Sequence, residues 1–129
     1  MTILADRALI IDDNPQAREI NRVILQPFAR EVFECADGKS ALLRCSEWRP
    51  DLVLVDYEMR PVDGIEFTRM LRQRQRQDWW KTTVIMVTAK ATDELVKRAA
   101  LVGIDALLVK PLDPESMAYR VRQAMESRK

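Results

Sequence analysis

Five side chains able to do chemistry stand just past four apolar runs. Asp12 and Asp13 follow Ala8 to Ile11, Asp56 follows Leu52 to Val55, Thr88 follows Val84 to Val87, and Lys110 follows Ala106 to Val109. Taken singly, each has a plain explanation: aspartate favours loops and helix caps, threonine ends strands, and lysine is usually solvated. The arrangement carries more. Three carboxylates at one sheet edge repel, so without a cation at least one must bind its proton more tightly than usual. Mg2+ suits such a site, because it takes carboxylate and carbonyl oxygens, keeps several waters and shares a phosphate oxygen readily. The soft ligands that zinc and copper prefer are missing from this group. A carboxylate beside Mg2+, facing a hydroxyl and an ammonium, is arranged for phosphoryl transfer onto itself. Asp56 is the expected nucleophile, with Mg2+ held by Asp12 and Asp13. Lys110 would neutralise the equatorial phosphoryl oxygens and Thr88 would donate a hydrogen bond to one of them.

Those residues need a scaffold that brings strand ends together. Five short apolar runs alternate with amphipathic helical stretches, the pattern of an α/β fold with a parallel sheet. The expected strands are Ala8 to Ile11, Val32 to Cys35, Leu52 to Val55, Val84 to Val87 and Ala106 to Val109. The third and fourth runs are continuously apolar, as central strands covered on both faces should be. In such sheets ligands bind beyond the carboxyl ends of the strands. All five candidates lie there, and only the second strand contributes nothing distinctive.

Helix punctuation agrees. Asn14-Pro15 starts the first helix, with Ala17, Ile20 and Ile24 as its apolar face. Asp37-Gly38 opens the second, in which Ala41, Leu42, Cys45 and Trp48 recur at helical spacing until Pro50 stops it. Asp63-Gly64 leads into the third, with Phe67, Met70 and Leu71 inward and Arg72, Arg74 and Arg76 solvated. Thr92 or Asp93 caps the fourth, with Leu95, Val96 and Ala99 inside and Gly103 as its stop. Asp113-Pro114-Glu115 begins the last, which buries Met117, Val121, Ala124 and Met125.

Composition bounds the function. The chain has 129 residues, 47% hydrophobic and 32% charged, and reads as a single domain over 1–129. A net charge of +1 favours neither nucleic acid nor membrane as partner. Early charges exclude a signal peptide and no apolar run approaches spanning length, so a cytoplasmic protein is expected. With no histidine anywhere, imidazole-based triads and histidine metal sites are excluded. The glycines, only three and far apart, build no phosphate-cradling loop. Cys35 and Cys45 lack metal-ligand spacing and read as buried reduced thiols.

At this point the chain resembles the CheY-like receiver domain of bacterial two-component response regulators, over nearly its whole length. Ile10-Ile11-Asp12-Asp13-Asn14 looks like the acidic pair and Leu54-Val55-Asp56-Tyr57-Glu58-Met59 like the phosphoacceptor strand. Val87-Thr88-Ala89 looks like the switch threonine, and Val109-Lys110-Pro111 like the active-site lysine. The resemblance implies a flavodoxin-like, doubly wound five-stranded sheet of order 2-1-3-4-5 with five helices. It implies that the backbone carbonyl of Glu58 completes the protein ligands to Mg2+, and that Lys110-Pro111 is cis. A sensor histidine kinase or histidine phosphotransfer protein would supply the phosphoryl group; since this chain has no histidine, the donor is a separate chain. Output would pass through the face of the fourth helix, fifth strand and fifth helix as a two-state shift, with Thr88 moving toward the phosphoryl group.

Three features depart from the family pattern. Leu107 stands where an aromatic often precedes the lysine; it shifts the coupling onto Thr88, or is simply an apolar strand residue. Arg60 occupies the usual proline position, one place before Pro61. Arg72 to Lys81 forms a basic extension with Trp79 and Trp80, read as a solvated helix end whose indoles pack over a neighbouring helix and too short to claim single-stranded nucleic acid. Near the mouth of the site, a Glu58–Lys90 ion pair would restrict water and slow dephosphorylation.

Other functions fit less well. An aspartate-based phosphatase wants Asp-x-Asp where this chain has Asp56-Tyr57-Glu58, and needs a cap domain. A flavin carrier lacks its phosphate loop, and a purely docking receiver would not need all five side chains. The expectation is a stand-alone, non-enzymatic phosphoacceptor, a monomer or phosphorylation-dependent dimer. It would bind a downstream protein not specified by the sequence, and neither DNA nor membrane.

Overall fold

The computed structural model describes residues 2–76 and 80–127. Its elements alternate along the chain: β1 (Ala5–Ile11), α1 (Pro15–Leu25), a 3-10 turn (Gln26–Phe28), β2 (Ala29–Cys35), α2 (Gly38–Trp48), β3 (Leu52–Asp56), α3 (Gly64–Gln75), β4 (Thr83–Thr88), α4 (Asp93–Val102), β5 (Ala106–Val109) and α5 (Pro114–Glu126). Parallel strands need crossover connections, which the helices supply. The sheet is wholly parallel, in the order β2-β1-β3-β4-β5. This is the doubly wound, flavodoxin-like fold that the sequence implied.

Each helix starts where a short polar side chain accepts from its first turn, satisfying N–H groups that otherwise lack partners. Asn14 accepts from Gln16 and Ala17, Asp37 from Ser40, Asp63 from Glu66, Thr92 from Leu95 and Asp113 from Ser116. Gly103 ends α4 in the left-handed region at φ 91°, a conformation that favours glycine.

Alternation along the strands makes two cores. Leu9, Ile11, Val53, Val55, Val84 and Met86 meet α2, α3 and α4 through Ala41, Cys45, Phe67, Leu71 and Leu95. The intervening Ala8, Ile10, Leu54, Ile85 and Val87 meet α1 and α5 through Leu25, Met117 and Val121. Each fully buried side chain of Leu, Ile or Phe size stabilises by about 1.5–3 kcal/mol. The central strands β3 and β4 are therefore fixed from both faces.

Register then decides what meets at the strand ends. Ile11 pairs with Val55, so Asp12 comes level with Asp56. Asp56 itself pairs with Val87, and Thr88 with Val109, one residue short of Lys110.

Several expectations are corrected. β1 and β2 begin three residues earlier than the apolar pattern suggested, at Ala5 and Ala29. On α1 Asn21 and Leu25 are buried and Ile24 packs partly buried against the core as expected, but Ile20 is 58% exposed; helical spacing alone left its side of the helix open. Val96 is likewise 47% exposed on α4, while Leu95 and Ala99 are buried. Cys45 is buried as expected but Cys35 is only partly so. Arg72 is not a solvated charge. Its guanidinium donates to Gly103 O (2.7 and 3.1 Å), Thr82 O (2.7 Å) and Gln75 Oε1 (2.7 Å), and pairs with Asp105 at 3.0 Å. It ties α3 to β4 and to the turn entering β5. Arg74 and Arg76 remain exposed. Trp80 packs partly buried beyond α2, donating to Pro50 O at 3.3 Å under the Arg49 guanidinium, whereas Trp79 lies outside the described residues.

Candidate functional site

Asp12 directly follows β1 and Asp56 ends β3 on the same sheet edge, and Asp13 lies on the loop before α1. One carboxylate oxygen from each lies within 4.8 Å of the others. Asp12 and Asp56 are buried, at 1% and 4% exposure, and Asp13 is exposed. Lys110 Nζ stands 2.9 Å from Asp56 Oδ1 as an ion pair, without the alignment of a hydrogen bond. Asp12 Oδ1 accepts from Asn14 N–H at 3.0 Å, while its buried Oδ2 has no hydrogen-bond partner among the described residues.

Electrostatics follow from this crowding. Burial pushes the Asp12 carboxyl above its ordinary value, aided by Asp13 and opposed by the Asn14 N–H, Lys110 and Arg18. Burial also pushes Asp56 up; Lys110 pulls it down, and Asp12 and Glu58 add to the rise. For Lys110, burial works against the charged form, but Asp56, Asp12 and Glu58 outweigh it and leave the ammonium more firmly protonated than usual.

The donor set is all oxygen, converges on one point and contains a buried carboxylate atom with nothing to bind. That combination fits a hard divalent cation such as Mg2+. Backbone geometry supports the placement. At Gly64, which starts α3, a Cβ would stand 2.9 Å from Asp56 O and 3.1 Å from Tyr57 Cα, so only glycine lets α3 approach Asp56 so closely. The peptide bonds Lys110–Pro111 and Arg60–Pro61 are both cis.

Asp12, Asp13, Asp56 and Lys110 meet at this edge and Thr88 ends β4 there, yet two contacts differ from expectation. Glu58 does not pair with Lys90. Its carboxylate instead accepts from Thr88 Oγ1 at 2.8 Å and from Ala89 N–H at 3.2 and 3.3 Å. The second strand, moreover, does contribute. Glu34 of β2 pairs with Arg18 at 3.4 Å and with Arg22, and Arg18 Nη1 donates to Asp12 O at 2.9 Å. Arg18 and Arg22 are four residues apart on α1, a spacing that places them on one face. That was the available signal.

Known proteins give the context. A family model described as the response regulator receiver domain matches residues 8–122. The DNA-binding response regulator MtrA of Mycolicibacterium smegmatis is 31% identical over 95% of this chain and 51% of its own length. The cyclic di-GMP phosphodiesterase response regulator RpfG of Xanthomonas campestris is 34% identical over 93% of this chain and 32% of its own. The chain thus spans about half, or less, of the length of such relatives. Among solved structures, chemotaxis protein CheY4 of Vibrio cholerae superposes with a TM-score of 0.84 at 28% identity, covering 92% of this chain and 98% of that one. The receiver domain of the Arabidopsis thaliana histidine kinase CKI1 gives 0.81 at 27% identity, covering 95% and 90%. The match across β1 to α5, with this edge of acidic residues inside it, leads to one conclusion: the chain belongs to the response regulator receiver domain family of two-component signalling.

Proposed function

We propose that Asp56 accepts a phosphoryl group from a phosphohistidine on a separate protein, in a Mg2+-dependent reaction. The observation that carries this reading is the buried Asp56 carboxylate at the end of β3, 2.9 Å from Lys110 Nζ and beside the carboxylates of Asp12 and Asp13. Receiver domains bind Mg2+ at acidic pockets of this kind. Asp12, Asp13 and Asp56, with the main-chain carbonyl of Glu58, would hold the ion. It would supply positive charge to the phosphoryl oxygens and relieve the repulsion among the carboxylates.

The chain's own groups divide the remaining work. An Asp56 oxygen forms the new bond to phosphorus as the bond from phosphorus to the donor's imidazole nitrogen breaks, and the electron pair leaves with the imidazole. Lys110, firmly protonated, meets charge on the transferred group. Thr88 would donate to a phosphoryl oxygen once released from its present partner. Arg18 keeps the Asp12 main chain in place through its bond to Asp12 O.

Receiver domains interact with histidine kinases, so the donor is a sensor kinase or a histidine phosphotransfer protein. A signal from Asp56 would reach the α4–β5–α5 face. There Val96, Leu107, Val109 and Arg120 line a groove of about 410 Å³. No helix among the described residues is long and apolar enough to cross a membrane. The DNA-binding and phosphodiesterase activities named for MtrA and RpfG are properties of those longer proteins. Incubation with acetyl phosphate and Mg2+ tests the reading: wild type should gain the mass of one phosphoryl group and Asp56→Asn none. Equal modification of both proteins would sink it.

A further inference from the structure

Two donors at the carboxyl end of β4, the Thr88 hydroxyl and the Ala89 amide just after it, are already taken. Thr88 Oγ1 carries one proton, and its closest acceptor is Glu58 Oε2 at 2.8 Å, ahead of Lys90 O at 3.2 Å. The same carboxylate receives the Ala89 N–H. Thr88 is buried at 1% exposure, so water does not readily replace Glu58 as its partner. Glu58 lies two residues after Asp56, and Tyr57 between them is pinned by its N–H to Val87 O at 2.8 Å. The chain segment that carries the acceptor therefore also carries the group that holds the hydroxyl meant to read it.

We propose that Glu58 is a positioning residue that latches Thr88 and the Ala89 amide in the resting state, so that a phosphoryl group on Asp56 must win both donors from a carboxylate. The inference rests on Asp56 being the acceptor, and adds what the acceptor site must overcome to switch. A hydrogen bond to an ionised group is stronger than one between neutral groups. Releasing it should tighten binding of a phosphoryl mimic by about tenfold, the ratio that one charged hydrogen bond commonly sets.

Loss of the carboxylate would also relieve plain charge repulsion toward the mimic, so the test must separate the two effects. Beryllofluoride with Mg2+ is titrated calorimetrically into wild type, Glu58→Ala, Thr88→Val and the double variant. Residue 58 is exposed and Thr88→Val keeps the side chain's shape, which preserves the fold; melting curves check this. The latch requires Glu58→Ala to tighten binding about tenfold with Thr88 present, and by less than about threefold with valine in its place. Glu58→Gln, which keeps an oxygen for Thr88 but loses the charge, should stay nearer wild type than Glu58→Ala does. In spectra of the free protein, the Ala89 amide resonance should move in Glu58→Ala. Equal tightening in both Thr88 backgrounds, or Glu58→Gln matching Glu58→Ala, would overturn the latch while leaving Asp56 as acceptor. Failure of wild type to bind beryllofluoride would overturn both.

Discussion

Replacing Asp12 by asparagine should make the metal-free protein more stable. Asp12 and Asp56 are both buried, and their carboxylate oxygens lie within 4.8 Å of each other. Coulomb's law at that separation, with an effective dielectric of about 20, gives roughly 3.5 kcal/mol of repulsion. Lys110 beside Asp56 offsets part of it, and asparagine can keep the bond from Asn14 N–H. The net gain should therefore be on the order of 1–2 kcal/mol. The pH dependence has a definite sign. Burial raises both carboxyls above the ordinary 3.8, so between that value and the raised ones the folded state binds more protons than the unfolded chain. Stability falls as pH rises through this interval, and the fall should be shallower in Asp12→Asn. Urea unfolding at neutral pH with chelator measures the gain. Added Mg2+ at about a hundred times its dissociation constant should then stabilise wild type by about 2.7 kcal/mol, and the variant far less. A destabilised metal-free Asp12→Asn protein, or equal Mg2+ stabilisation of both, would refute the reasoning.

Three further outcomes follow from the packing. Arg72→Met should cost about 2–4 kcal/mol in urea unfolding, because the bonds to Gly103 O, Thr82 O and Asp105 are lost together; a loss below about 0.5 kcal/mol would mean the guanidinium is dispensable. Gly64→Ala should cost about 1–3 kcal/mol and weaken Mg2+ binding, since its Cβ would press on Asp56 O and Met86 Sδ, both at 2.9 Å; unchanged stability and Mg2+ affinity would count against a tight α3 approach. Burial pushes the Cys45 thiol up to about 12, so a thiol reagent at neutral pH should modify it only on unfolding. Labelling of Cys45 in the native protein at the rate of a free thiol would show the site to be open.

Much of this was legible in the sequence because the signals are local. Asn14, Asp37, Asp63, Thr92 and Asp113 cap helices through N–H groups two or three residues on, so a few positions specify each start. The apolar runs of β3 and β4 declared burial on both faces. What stayed hidden depends on distant partners. The first halves of β1 and β2 carry Asp6, Arg7, Arg30 and Glu31, which break an apolar pattern but pair across the strands, while Asp51 accepts from the N–H groups of Asp6 and Arg7. Asn21 rather than Ile20 faces inward, a choice that helical spacing leaves open. Glu58 meets Thr88 across thirty residues of chain, and Arg72 finds its partners only once β4 and β5 lie side by side. That Asp12, Asp13, Asp56 and Lys110 come together was readable, because strand ends in a parallel sheet converge on one edge. How Glu58 uses its carboxylate there was not.

Under the proposed function, Asp56 alone carries the phosphoryl group. The most direct measurement is chemical trapping: the protein is incubated with acetyl phosphate and Mg2+, treated with borohydride, and digested for mass spectrometry. An acyl phosphate is reduced to an alcohol, so homoserine should replace aspartate at position 56 and nowhere else. Homoserine at position 12 or 13, or unreduced aspartate at position 56 in a protein bearing the phosphoryl mass, would contradict the assignment.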